Sequence, residues 1–381
     1  MPVSFQNGIA TRPGQFLVKF RNPEAALDSG GECLKEGLVF FESGDRLTLQ
    51  SMDGVDYVVP NHAYRREQAV EAPPSAQWGL HNTGQDDGTP DADIDAPEAW
   101  AETTGKALVA VLDTGVDTRH PALRENLYRN PGEIPGDGID NDGNGVVDDI
   151  HGYDAALKNG NPWYDDPHGT HCAGIVAAGG EVLGVAPTAT VLPIKIYDEE
   201  EWTDAATIIR ALEYARKAGA QIASHSYGGL GFNRAVEEAF GDPGMLHVVA
   251  AGNYRSDNDT NKNYPSSYSL PNMISVAASD RNDRLAGFSN YGRETVHLAA
   301  PGVDILSTVP YERYGTWSGT SMACPMVAGA AALVATKYSD ESALQWKERI
   351  LSSVDKKPGW EDKVSTGGRL NAARALQATE P

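Results

Sequence analysis

From residue 78 onward the chain alternates short, almost wholly apolar runs with stretches of small or helically spaced residues, and this alternation constrains its fold more than any other feature. KALVAVLD reads as a strand buried on both faces, and GTHCAGIVAAGG as a small-residue helix closed by glycine. VLPIKIY is another strand. TDAATIIRALEYARKAGA follows as an amphipathic helix, with Thr203 as its N-cap, Ile208, Leu212 and Ala215 on one face and Gly219 at its end. QIASHSYGG, MLHVVAAGN and MISVAAS are three more apolar strands. GTSMACPMVAGAAALVATKY is a long apolar helix whose Pro325 lies near its start, where proline is tolerated. Continuously apolar strands need cover on both faces, so the pattern predicts an α/β fold with a mostly parallel central sheet between layers of helices.

Residues 1–72 have a different character. QFLVKF alternates as a half-buried strand does, PEAALDSGG reads as a short helix ending in glycine, and GLVFFES and VDYVVP read as further strands. Together they suggest a small α+β unit with little room for two full helices. The polar, proline-bearing REQAVEAPPSAQ follows, which sets a linker at 73–77 and a second domain at 78–381.

Charge narrows the partners. Fifty-three acidic residues against 31 basic ones leave a net charge of −22, which repels nucleic acid and anionic lipid. No apolar run reaches the roughly 18 residues of a membrane span. MPVSFQNGIATRPGQF lacks the basic start and apolar core of a leader. The chain is therefore expected to be secreted if a leader was trimmed from it, and cytoplasmic if Met1 is its native start. Three cysteines, Cys33, Cys172 and Cys324, are too few for a disulfide framework and read as free, mostly buried thiols.

In open α/β sheets the chemistry gathers at the carboxyl ends of the strands. Four polar stretches fall there: LDTG with Asp113, PHGTH with His168, AAGN with Asn253 and SGTSM with Ser321. Singly, each has an ordinary explanation as a cap or turn residue. Jointly, the order Asp, His, Ser at strand and helix ends is one chain order of the serine triad. Two rivals use neighbouring residues. A zinc site on His168 and His171 lacks a third ligand and the glutamate of HExxH. A cysteine nucleophile at Cys172 or Cys324 would sit inside a small apolar helix, the setting of structural thiols.

VAVLDTGVDTRHP, HGTHCAGIVAA, VVAAGN and GTSMACPMVAGAAAL resemble the motifs of subtilisin-like serine proteases, the subtilases, over about residues 76–378. The resemblance implies a subtilisin-like three-layer fold and hydrolysis of protein or peptide substrates through an acyl-enzyme. Asp113, His168 and Ser321 become the triad, and Asn253 with the Ser321 N–H the oxyanion hole. Ser226, Tyr227 and Gly228 become the edge on which substrate adds as a strand. Ala251 and Gly252 become walls of the S1 pocket, with Asn263 near its floor. The N-terminal unit becomes a propeptide, with QFLVKF and VDYVVPNHAY as its first and last strands, that inhibits the enzyme until YRREQAVEAPPSAQ is cut. A calcium site common in the family is expected to be lost, since Ala122 stands where its aspartate would be. Peptide ligation by the same acyl-enzyme, or an inactive peptide-binding relic, stays open alongside hydrolysis.

One motif stands outside this scheme. DGIDNDGNGVVDD sets Asp140, Asp142, Asn144 and Asp148 at positions 1, 3, 5 and 9 of an EF-hand-like loop, with Gly145 at position 6 and the Val146 carbonyl at position 7. Hard oxygen ligands at this spacing predict a structural calcium ion. His151 replaces the bidentate glutamate at position 12, so Asp149 or water is expected to substitute. Finally, the acids of YDEEEW suggest a preference for basic residues upstream of the cut.

Overall fold

The computed structural model describes residues 3–6, 9–27, 29–66, 70–72 and 77–377. Residues 73–76, most of the expected linker, lie outside the described residues, as do 67–69.

A nine-stranded sheet forms the centre, in the order Asp355–Lys356, Gly368–Arg369, Leu298–Pro301, Met273–Ser279, Leu246–Ala250, Ile222–His225, Leu108–Asp113, Thr190–Lys195, Tyr153–Asp154. Every neighbouring pair runs parallel except the first, which is antiparallel. The apolar runs are continuous because alternate residues serve two cores. Val109 and Val111 join Val248, Ile274 and Val276 under the helices Pro167–Ala177 and Thr320–Lys337. Ala110 and Leu112 join Leu192, Ile194 and Val249 under Ala205–Lys217 and Arg234–Phe240. The Thr320–Lys337 helix is apolar all round because it is buried from Thr320 to Ala335. No helix among the described residues is long and apolar enough to cross a membrane.

The N-terminal unit also divides its side chains by period two. Its strands Ile9–Phe20, Val55–Arg66, Leu38–Phe41 and Glu32–Lys35 form one antiparallel sheet. Val18, Val39 and Val58 face its own two helices, Pro23–Leu27 and Arg46–Gln50, in a small core with Ala26 and Leu49. Leu17, Leu38, Tyr57 and Tyr64 face the other way and share a core with Ile208, Leu212 and Phe240 of the larger domain. Each of those helices is five residues long, in keeping with the shortage of room.

One helix start is corrected. Thr203 belongs to the strand Trp202–Asp204, paired with Tyr64, so the cap falls on Asp204, which accepts from Thr207 N at 2.9 Å. The extra strand contact from the N-terminal unit holds Thr203 in extended backbone.

Candidate active site

Two strand ends and two helix starts deliver the four polar stretches to one place. Asp113 is the last residue of its strand, and His168 the second residue of its helix. Asp166 caps that helix by accepting from His168 N at 2.9 Å, and Pro167 fills the first helical position, where no N–H is missed. The turn after Asp113 meets the helix closely. Thr114 Oγ1 accepts from Gly169 N at 3.0 Å, and a Cβ on Gly169 would lie 2.2 Å from the Gly115 carbonyl oxygen. Only glycine permits that approach.

The approach sets His168 Nδ1 2.7 Å from Asp113 Oδ1, which also accepts from Thr114 N at 2.7 Å. Both side chains are 2 % exposed or less. With Nδ1 donating to the carboxylate, Nε2 carries the lone pair. On the serine side, Cys172 Sγ lies 3.9 Å from His168 Nδ1 and 3.4 Å from the Ser321 carbonyl oxygen, to which Ser226 Oγ donates at 3.1 Å. His168 Nε2 and Ser321 Oγ are both buried and without hydrogen-bond partners. Leaving such groups unpaired costs about 1–3 kcal/mol each, a cost that marks functional sites more often than ordinary cores.

Asn253 follows the strand Leu246–Ala250. Its Oδ1 accepts from Thr320 N and Thr320 Oγ1, both at 2.9 Å, which fixes which end of the carboxamide carries the N–H donors. A Cβ on Gly319 would lie 3.5 Å from Asn253 Nδ2 and 3.6 Å from Ser321 N. Two N–H donors therefore border one small space that glycine leaves open. It lies at the start of the Ser321 helix, where backbone dipoles favour negative charge.

Ser226 holds the Ser321 carbonyl, and the two residues after it form an edge that takes a strand. Tyr227 and Gly228 pair antiparallel with Arg66 and Arg65. The other edge of that strand pairs with Trp202–Asp204, so residues 63–65 run between two strands of the larger domain. Beyond Ser321, Val70–Ala72 pair antiparallel with Thr316–Ser318. A stretch read from sequence as linker is thus partly strand. Polar contacts also hold the unit down. Glu32 accepts from Arg210 at 2.8 and 3.1 Å and from Lys158 at 2.6 Å, Tyr57 donates to Glu238 at 2.7 Å, and Arg12 pairs with Asp198. Burial pushes the Glu32 carboxyl up, but Arg210 and Lys158 together outweigh it and hold the group below its ordinary range.

Ala251 and Gly252 are buried beside Asn253, and Asn263 stands against Ala251. It is 3 % exposed and donates its amide to the Ala251 carbonyl at 3.1 Å.

The rival residues take structural positions. His171 Nε2 lies 3.0 Å from the Gly315 carbonyl, and its ring stacks on Trp317 at 4.7 Å. Burial drives its pKa down to about 3, so it stays neutral. Among the described residues it belongs to no group of converging metal-ligand atoms. Burial raises the Cys172 thiol well above its ordinary range and Cys324 to about 11, which disfavours the thiolate a nucleophile needs. Cys33, by contrast, is exposed.

The acidic loop gathers a different set from the expected one. Carboxylate oxygens of Glu133, Asp140 and Asp142 lie within 4.8 Å of one another. Asn144 Nδ2 donates to Asp142 at 3.0 Å, and Val146 N donates to Asn144 Oδ1 at 2.8 Å. Asp148 turns away, accepting from Gly136 N at 2.7 Å and Gly138 N at 3.1 Å, so its expected place is corrected. His151 turns to the Tyr128 carbonyl at 2.9 Å. Asp149 is taken up by Tyr214 at 2.6 Å, Asn130 at 2.8 Å and Asn144 at 2.9 Å. Glu133 escaped the sequence reading because it precedes the loop and reaches it only when the chain folds back.

Residues 104–369 match the model of the subtilase family. Thermitase of Thermoactinomyces vulgaris is 38 % identical over 298 residues, which cover 74 % of this chain and 94 % of thermitase. Subtilisin-like protease 1 of Plasmodium berghei (strain Anka) is 30 % identical over 79 % of this chain, and the match spans 53 % of that relative's length. Among solved structures, fervidolysin from Fervidobacterium pennivorans, described as a keratinolytic enzyme related to subtilisin, superposes on all of this chain and on 63 % of its own, with a TM-score of 0.77 and 26 % identity.

Proposed function

The chain belongs to the subtilase family of serine endopeptidases, and on that premise we propose that Asp113, His168 and Ser321 are its triad and that Asn253 with the Ser321 N–H forms its oxyanion hole. The observation that carries this reading is the buried His168–Asp113 pair, which leaves Nε2 and the Ser321 hydroxyl unpartnered beside two converging N–H donors. His168 takes the Ser321 proton as Oγ attacks a peptide carbonyl, and later returns it to the leaving amine. Asp113 holds the tautomer with the lone pair on Nε2 and stabilises the imidazolium. Negative charge that develops on the carbonyl oxygen enters the space beside Gly319. Substrate is held as a strand on Tyr227–Gly228, the edge that residues 65–66 occupy in this structure.

The N-terminal unit acts as an inhibitory propeptide. It fills the cleft on one side of Ser321 with residues 63–66 and pairs with Thr316–Ser318 on the other side through residues 70–72. Maturation then cuts a bond between Arg66 and Val70. N-terminal sequencing of the active form is expected to find a start at residue 67, 68, 69 or 70. A first residue outside that span would rule this out. A fluorogenic peptide assay, with a serine-directed fluorophosphonate in one arm and a zinc chelator in the other, tests the chemistry. Inhibition by the chelator alone would overturn the serine mechanism.

Calcium has a structural role. Three carboxylates drawn together repel one another, and a divalent cation relieves that repulsion. Glu133, Asp140 and Asp142 would hold the ion, with the Asn144 side chain and the Val146 carbonyl from the same loop. The bound ion would tie down the insertion between the Asp113 and His168 segments. A chelator is expected to lower Tm by about 3–4 °C, the shift in a chain of this length for an ion present at ~100 times its Kd. Glu133→Gln should remove most of that calcium dependence. An unchanged Tm in chelator would discard the site.

A further inference from the structure

We infer that Asn290 is a positioning residue of the oxyanion hole, a reading that rests on the assignment of Asn253 to that hole. Asn290 follows the strand Met273–Ser279 in a loop of its own, is 1 % exposed, and lies next to Asn253 only in the folded chain. Its side-chain nitrogen donates to the Ala251 carbonyl at 3.1 Å and to Asn258 Oδ1 at 3.0 Å. Its side-chain oxygen accepts from Tyr254 N at 2.8 Å and Ser256 N at 3.0 Å. Its backbone N donates to the Gly252 carbonyl at 2.8 Å. A primary amide has two donors and two acceptor sites, and here all four are used on one short loop. The contacts fall on both sides of Asn253, so the side chain closes a clamp across the residue whose amide borders the hole.

The loop needs such a clamp. Tyr254 is 68 % exposed and Arg255 has φ of 52°, a left-handed conformation that a non-glycine residue keeps only when its surroundings impose it. Gly252 is there for the same reason. Its φ is 111°, and a Cβ would lie 2.5 Å from Asn290 Nδ2. Thr320 restrains Asn253 from the helix side by fixing the carboxamide's orientation. Asn290 fixes where the backbone carrying it sits. Donors at an oxyanion hole must be placed before the charge develops, and a displacement of about 1 Å can cost about 100-fold in rate.

A double-mutant cycle separates this role from a merely structural one. Asn290→Ala is expected to lower kcat about 10- to 100-fold with KM changed less than about threefold. In an Asn253→Ala background the same change should cost less than about threefold, because the donor it positions is gone. If Asn290→Ala does not fold, Asn290→Ser, which keeps one hydrogen-bonding group, is run through the same cycle. Equal losses in both backgrounds, or a raised KM with kcat unchanged, would overturn the inference. A parent enzyme that shows no peptidase activity after cleavage and removal of its N-terminal unit would instead overturn the oxyanion-hole reading on which it rests.

Discussion

Ser321→Ala is expected to reduce kcat by about 10⁶-fold, the size known for loss of the triad serine in a subtilisin and not a figure drawn from this structure. The residue types explain why the loss is so large. Without the hydroxyl there is no acyl-enzyme, and His168 has no proton to take. Once the N-terminal unit is removed, some acceleration over water should survive, because the two donors beside Gly319 and the strand edge at Tyr227–Gly228 remain. His168→Ala should cost about as much, and the double variant little more, since the two side chains act as a unit. Ser321→Ala should also leave the chain uncut, with the N-terminal unit still docked. Mass spectrometry of the purified variant and an assay at high enzyme concentration check both outcomes. If the variant is processed as fast as the parent, the cut is made by another enzyme.

Asn253→Ala is expected to lower kcat about 10²- to 10³-fold with little change in KM, a range that comes from a subtilisin oxyanion-hole variant. The contact strengthens only as the carbonyl oxygen gains charge, so ground-state binding should barely notice its loss. Thr320 gives this variant a second consequence. Its N–H and hydroxyl both donate to Asn253 Oδ1 and would lose that acceptor in the alanine variant. Gly319→Ala approaches the same space from the other side. Its new methyl group would stand 3.5 Å from Asn253 Nδ2 and 3.6 Å from Ser321 N, where the oxyanion belongs. It should match Asn253→Ala in kcat while leaving Asn253 itself intact. Steady-state kinetics on one peptide substrate tests both, and a KM effect without a kcat effect in either would contradict the hole.

What the sequence made legible was whatever carries a local signature. Asp113, His168, Asn253 and Ser321 each stand where an apolar run ends or a small-residue helix begins, and those boundaries can be read along the chain. The parallel sheet was legible for the same reason, because strands such as Leu108–Asp113 are apolar on both faces. Features made by distant partners were not. Val70–Ala72 looks like linker because its pairing strand, Thr316–Ser318, lies far along the chain. Thr203 looked like a cap until Tyr64 held it in a strand. Glu133 entered the acidic loop by folding back, and Asp148 left it for the Gly136 and Gly138 amides.

The strand at residues 63–66, held between two edges of the larger domain, would take on a kinetic meaning if the proposed cut is made after it. Before cleavage its grip is intramolecular, and dilution does not touch it. Afterwards the same contacts join two separate chains, and their occupancy follows mass action. The onset of activity then becomes a matter of concentration. On the propeptide reading, a crowded solution of the cut protein would stay silent, and spreading it into a larger volume would switch it on.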